Sequence, residues 1–296
     1  MRKFLGKIAS VSVQKGGVGK STTSQMTAYN LAKRGNKVLL IDIDPQATLT
    51  SAFFGYSYES FTKDDVSNIT NIFKGKEVNP IKIKTTKFVD NPERGKILQP
   101  HFIEEDLEID FIPCNYELLD AIESDDFKRE EKISIIYKYI LSLKDKYDFI
   151  VLDGPPSFGI ITTALTRASD YIITPIAAKN VDISGMVGFI RRLDIVAEKY
   201  PEMDIKKIVF FPNMYDGRLN DCKESLADIK RVPNLFQETK NLREIKCVIA
   251  DKFPTKSSVQ EAPAFKLFLE PFIMSYSKAH KDVIIKIDRL INELLK

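Results

Sequence analysis

Nine consecutive residues constrain this chain more than anything else in it: Gln14-Lys15-Gly16-Gly17-Val18-Gly19-Lys20-Ser21-Thr22. An apolar run, Ile8–Val13, precedes them. A helical pattern from Lys20 to Arg34 follows and meets Gly35, a natural helix stop. A glycine-rich turn between a strand and a helix lets successive backbone N–H groups face one anion, and the new helix presents its positive end to the same point. Lys20 can then reach β- and γ-phosphates, and the Ser21 hydroxyl can ligate Mg2+. The strict pattern GxxxxGK[ST] fails at its first position, where Gln14 stands in place of glycine. A plain connecting turn is the competing reading. Strand, three glycines, Gly-Lys-Ser and helix in direct succession count against it.

The rest of the chain is read around that turn. Lys37–Asp42 is a second apolar strand, so strand, helix and strand fill the span of one βαβ unit. Further strands are expected at 107–112, 147–153, 171–175, 208–211 and 245–249. Helical spacing runs through 115–145, 184–199, 218–231 and 276–295. This alternation predicts an α/β fold: a doubly wound, mostly parallel sheet with helices on both faces. A length of 296 residues leaves room for two domains, but neither a repeat nor a Ser/Gly linker divides the chain. A single domain over 1–296 is expected, with an irregular insertion around 54–106.

Charge and cysteine content exclude several classes. Lys and Arg number 44 against 41 Asp and Glu, a net charge of +3, so nucleic acid is neither required nor excluded. Cys114, Cys222 and Cys247 lie far apart, which argues against a zinc or iron–sulfur site within one chain and suits a reducing cytosol. The N-terminus lacks the apolar core of a signal peptide, and no stretch approaches a membrane span. Within the irregular part, residues 74–96 hold seven basic and three acidic side chains, and 104–131 hold twelve acids and two basics. A solvated insertion and a partner-contact surface both fit.

Asp153 ends the apolar strand Tyr147–Asp153 and is followed by Gly154-Pro155-Pro156. Ligands of parallel sheets sit beyond the carboxyl ends of the strands, where an acid can hold a Mg2+ water. A helix N-cap or turn acid is the alternative. Asp42 and Asp44 end the second strand in Ile41-Asp42-Ile43-Asp44-Pro45-Gln46. Alternate strand residues share a face, so both carboxylates could point at the same ligand or serve as turn acids.

Taken together, Lys15–Thr22, Asp42-Ile43-Asp44-Pro45-Gln46 and Val151–Pro156 resemble the deviant Walker A, A′ and B motifs of the ParA/MinD family. Weaker matches are Phe111-Ile112-Pro113, Asn213–Arg218 and Glu261-Ala262-Pro263, so the resemblance covers nearly the whole chain. It is nearest to small ParA/Soj-like partition ATPases. About ten residues precede the first strand, so a winged-helix operator-binding region is not expected here. The resemblance implies an ATPase using ATP and Mg2+. Lys15 matches the signature lysine that reaches a facing subunit's phosphates across an ATP-dependent homodimer, and Asp44 the acid that activates water. Lys15, Gly16, Gly17, Val18, Gly19, Lys20, Ser21 and Thr22 match the phosphate-binding loop. Asn213 and Arg218 match positions near adenine, Ser21 and Asp153 (through water) the metal site, and residues 153–158 switch II. Non-specific DNA binding would come from basic residues such as Arg191, Arg192, Lys206, Lys207, Lys230 and Arg231, and a ParB-type centromere-binding partner would stimulate hydrolysis. A cytoplasmic, nucleoid-associated protein that does not bind membranes is expected.

The main alternative is a MinD-like membrane-cycling ATPase, which would anchor through an amphipathic C-terminal helix. Residues 280–296 are amphipathic, but Asp282, Asp288 and Glu293 offset four basic residues, unlike a cationic anchor. An Ile/Leu stripe there also fits packing against the sheet. Iron–sulfur relatives of the family need cysteines in other places.

Overall fold

The computed structural model describes residues 6–13, 15–55, 66–89, 101–179, 181, 183–253 and 281–295. Gln14 and the Glu261-Ala262-Pro263 match lie outside them. In chain order the elements are β1 (Lys7–Val11), α1 (Lys20–Lys33), β2 (Val38–Asp42), α2 (Thr48–Phe54), a 3-10 turn (Ile69–Lys74), β3 (Ile81–Val89) and β4 (His101–Ile112). There follow α3 (Glu117–Glu123), α4 (Arg129–Ser142), β5 (Phe149–Asp153), α5 (Ile160–Ala168), β6 (Tyr171–Ala177) and α6 (Ile183–Lys199). β7 (Lys207–Asn213), α7 (Asn220–Ile229), α8 (Val232–Gln237), β8 (Lys246–Ile249) and α9 (Lys281–Leu295) close the chain.

Among the described residues eight strands form one sheet in the order β3-β4-β2-β5-β1-β6-β7-β8. All neighbours are parallel except β3, which lies antiparallel to β4 at the edge. The central strands are apolar on both faces because both are covered. On β2, Val38 and Leu40 pack with α1 and α9, while Leu39 and Ile41 pack on the other face with α4 and α5. Beyond β6, Ile172, Ile208 and Phe210 pack with Phe189 and Leu193 of α6 and Phe236 of α8.

Helix α1 is buried along most of its length although it is rich in polar residues. Its side chains satisfy themselves on the preceding turn: Thr23 donates to the Gly19 carbonyl at 2.7 Å, Thr27 to Thr23 at 2.8 Å and Asn30 to Met26 at 2.9 Å. Such back-bonding satisfies most of the polar groups that the helix carries into the core, while Gln25 Oε1 stays buried without a hydrogen-bond partner. The Gly35 amide returns to the Ala32 carbonyl at 2.8 Å with φ +81°, the left-handed stop expected of that glycine.

Two expectations change. The helical spacing over 115–145 resolves into α3 and α4, and Lys132 of α4 donates to the carbonyls of Ile122 and Ser124 across the break. The 54–106 stretch is more regular than expected: its described part holds the 3-10 turn, β3 and the first half of β4. Ile81 and Ile83 pack against the core while Lys82 and Lys84 face solvent, the period-two pattern of a half-covered edge strand.

Candidate functional site

Register sets the site. Val11 pairs with Asp153, and Asp153 with Asp42, so the ends of β1, β5 and β2 lie in one row beneath the phosphate loop. The loop enters α1 through Gly19, whose φ is +87°, after Gly17 at +75°. Both lie in the left-handed region that disfavours side chains. A Cβ on Gly19 would come within 2.4 Å of Asn213 Nδ2. The first turn of α1 carries no acid, so its positive end is left for an external anion.

Lys20 is 9% exposed. Its Nζ donates to Asp153 Oδ1 at 2.9 Å and lies 3.3 Å from Asp44 Oδ2. Burial lowers the Lys20 pKa, but the charges of Asp153 and Asp44 outweigh it, and the ammonium ends above its ordinary value. Ser24 also donates to Asp153 Oδ1, at 2.8 Å, while Asp153 Oδ2 is buried without a hydrogen-bond partner. Asp42 accepts from the amide and hydroxyl of Thr50, both at 2.8 Å, and from the Asp44 amide. Burial, and then the charge of Asp153, push the Asp42 carboxyl up to about 7. Burial also raises Asp44, against the pull of Lys20. Three buried carboxylates thus share one ammonium. An uncompensated buried charge is unfavourable, and the proton that Asp42 retains offsets part of the excess negative charge.

A cleft of about 380 Å³ opens above the cluster, lined by Gly16, Gly17, Gly19, Lys20, Ser21, Thr22 and Lys15 together with Asp44, Gln46, Thr48, Pro156 and Met214. Lys15, Gly16 and Gly17 are exposed, Val18 is buried, and Ser21 and Thr22 are half-buried. Ala47 and Met214 are the non-glycine residues with positive φ among the described residues, at 49° and 57°. Ala47 starts α2 directly after the carboxylate turn, and Met214 lines the cleft. Strain of this kind collects at functional sites.

The predicted residues separate on inspection. Lys15–Thr22, Asp44 and Asp153 converge. Asn213 is buried, and its Nδ2 donates to the Val18 carbonyl at 2.8 Å, fixing the loop from β7. Arg218 points away, with a largely exposed side chain that grips Asp216 through its Nε and Nη2. Ser24 and Thr50, which orient Asp153 and Asp42, escape sequence reasoning. Ser24 does carry a faint signal, one helical turn after Lys20 on the same face. Among the basic candidates, Lys207 is 4% exposed and donates to the Glu293 carbonyl; as the first residue of an interior strand it is not a surface cation.

The AAA_31 family profile, described as an AAA domain, matches residues 6–206. The sporulation initiation inhibitor protein Soj of Bacillus subtilis is 28% identical over 229 residues, covering 77% of this chain and 80% of Soj. The chain belongs to the AAA_31 family and to its ParA-type partition ATPases. Solved ParA-type structures share the fold. A protein assigned to plasmid partition in Borrelia burgdorferi B31, bound to AMPPNP, superposes with TM-score 0.64 at 23% identity, covering 98% of each chain. The pNOB8 ParA bound to nonspecific DNA gives 0.61 at 20% identity, covering 96% of this chain and 99% of that one.

Proposed function

We propose that this ParA-type chain works as one domain, a DNA-partition ATPase that closes into a dimer with ATP, binds DNA without sequence preference and releases it on hydrolysis. The observation that carries this reading is the Lys20–Asp44–Asp153 cluster beneath the phosphate loop. Without nucleotide, Lys20 is held by the two carboxylates. When phosphates enter the cleft, its ammonium turns to the β- and γ-oxygens and leaves both acids unpaired. Asp44, at the cleft wall, then orients and deprotonates the attacking water. Ser21 and the unpartnered Asp153 Oδ2, through a water, fit a magnesium ion. Bound magnesium supplies positive charge to the β- and γ-phosphates. Asn213 holds the loop in its binding shape. Lys15, exposed at the loop's entry, reaches the phosphates of a facing subunit.

Family membership and the pNOB8 ParA structure with nonspecific DNA support the DNA reading. Arg191, Arg192, Lys230 and Arg231 are exposed and remain the DNA-facing candidates beside Lys206. Arg231 and Lys206 also face nearby acids, Asp228 and Asp204. A ParB-type centromere-binding protein would stimulate hydrolysis, and the protein would associate with the nucleoid. The membrane-cycling alternative fits less well. Leu290, Ile291 and Leu294 of α9 are buried in the core with α1, and Arg34 bonds Asp288 and Asn292. The described part of that helix's apolar stripe is therefore already occupied. Among the described residues no helix is long and apolar enough to cross a membrane.

The test is binding to random-sequence duplex DNA and to anionic liposomes, each with ATP, with ADP and without nucleotide. DNA binding restricted to ATP, falling steeply with salt, is expected. Liposome binding without DNA binding contradicts the proposal.

A further inference from the structure

A second cavity, of about 340 Å³, shares Val13 and Lys15 with the cleft. It lies between the carboxyl ends of β1 and β6 and the first turns of α6. Its walls are apolar: Val18, Ile176, Met186, Phe189 and Phe210 line it. The volume and lining are those of a small-molecule site, mainly hydrophobic with a few polar groups. It also sits beyond the carboxyl ends of parallel strands, where the chain crosses from β5 over β1 to β6, the place such sheets receive ligands.

Three polar groups give the cavity its chemical preference. Thr174 is 6% exposed, and its hydroxyl has no hydrogen-bond partner. A buried hydroxyl without a partner is unfavourable and gains from a ligand acceptor or donor. Lys15 and Lys179 are exposed cations on the lining. Among the described residues no carboxylate forms an ion pair with either. Apolar walls, one unpartnered hydroxyl and two unneutralised ammonium groups fit an amphiphilic monoanion.

We propose that this cavity binds a small apolar carboxylate, its hydrocarbon body against Met186, Phe189 and Phe210 and its headgroup between Lys15 and Lys179, with Thr174 completing the polar contacts. One consequence rests on the proposed role of Lys15. A carboxylate there engages the lysine meant for the facing subunit's phosphates, so the bound ligand opposes ATP-dependent dimerisation.

The experiment uses octanoate as the probe, with octanamide as its uncharged match, on the full chain by titration calorimetry. Octanoate should bind saturably and several-fold tighter than octanamide. Lys179→Gln should weaken octanoate several-fold and leave octanamide unchanged. Thr174→Val, which keeps the side chain's shape, should weaken both probes about five-fold. Met186→Trp should fill the cavity and abolish both, while a fluorescent ADP analogue still binds as to the unaltered chain. If Met186→Trp does not fold, the Lys179 and Thr174 variants decide alone. Absence of saturable octanoate binding, or binding indifferent to both variants, overturns the pocket. A sedimentation run with ATP and saturating octanoate separates the two claims. Intact octanoate binding with undiminished dimerisation contradicts the link to Lys15 and leaves the pocket standing.

Discussion

At its exit the phosphate loop is fixed by the interior of the molecule, and at its entry it meets almost nothing. Val18, Gly19 and Lys20 are held by Asn213 from β7, by Asp153 from β5 and by Asp44 from the turn after β2. Lys15, Gly16 and Gly17 are exposed, and a Cβ on either glycine would find nothing within 4 Å. Two lysines five residues apart therefore face opposite demands. Lys20 balances buried carboxylates and can change partner when phosphates arrive. Lys15 is exposed and has no ion-pair partner among the described residues, as its proposed role toward a facing subunit requires. On the proposed reading, the exit end is a preorganised site for a ligand of the same chain, and the entry end is a contact for a second surface.

The largest effect should come from breaking the exit. Lys20→Ala removes the charge that meets the β- and γ-phosphates. A charged contact of this kind contributes roughly 2–5 kcal/mol, so titration calorimetry should show ATP affinity reduced about a hundredfold or abolished. Unchanged affinity would separate Lys20 from the phosphates.

A glycine series sharpens the same contrast through stability of the nucleotide-free protein. Gly19→Ala meets both the positive φ and Asn213, and should destabilise by about 2–3 kcal/mol in denaturant unfolding. Gly17→Ala meets only the positive φ and should lose about 1 kcal/mol. Gly16→Ala has neither obstacle and should stay within about 0.5 kcal/mol of the unaltered chain. Equal losses at all three positions would mean that the entry is as constrained as the exit.

The carboxylates beneath the exit predict a further, pH-dependent effect. Asp42 titrates near 7 in the folded chain against an ordinary value of 3.8. Between these values the folded state holds a proton that the unfolded state has released. Stability from this group is thus present at low pH, falls as pH rises through about 4 to 7, and is flat above. Thermal unfolding of the nucleotide-free protein should show that decline, and Asp42→Asn should flatten it. A parallel profile in both would place the titration elsewhere.

How much of this was legible depended on what each residue's signal was made of. The phosphate loop, the acid-ended strands and the Gly35 stop were readable because glycine positions and unbroken apolar runs have few other uses. Ile81-Lys82-Ile83-Lys84 carried an equally plain alternation, but the surrounding excess of lysines reads first as a solvated segment. The resemblance sets Asn213 near the base; its hold on the Val18 carbonyl is a further contact that only the structure reports. The contact joins residues 195 apart, which no local pattern reports. The left-handed turns at Ala47 and Met214 were illegible for a simpler reason, since neither residue type favours that conformation. Lys207 looked like its neighbour Lys206 in sequence. Lys207 opens the fully buried strand β7, and Lys206 stands just before it, exposed.

The central claim is that the loop's exit lysine serves its own subunit and the entry lysine serves the other. Sedimentation of Lys15→Gln with ATP tests it most directly, alongside titration of the same protein with ATP. The account predicts near-normal ATP binding by the monomer together with loss of ATP-dependent dimerisation. A Lys15→Gln protein that dimerises with ATP as the unaltered chain does would contradict it.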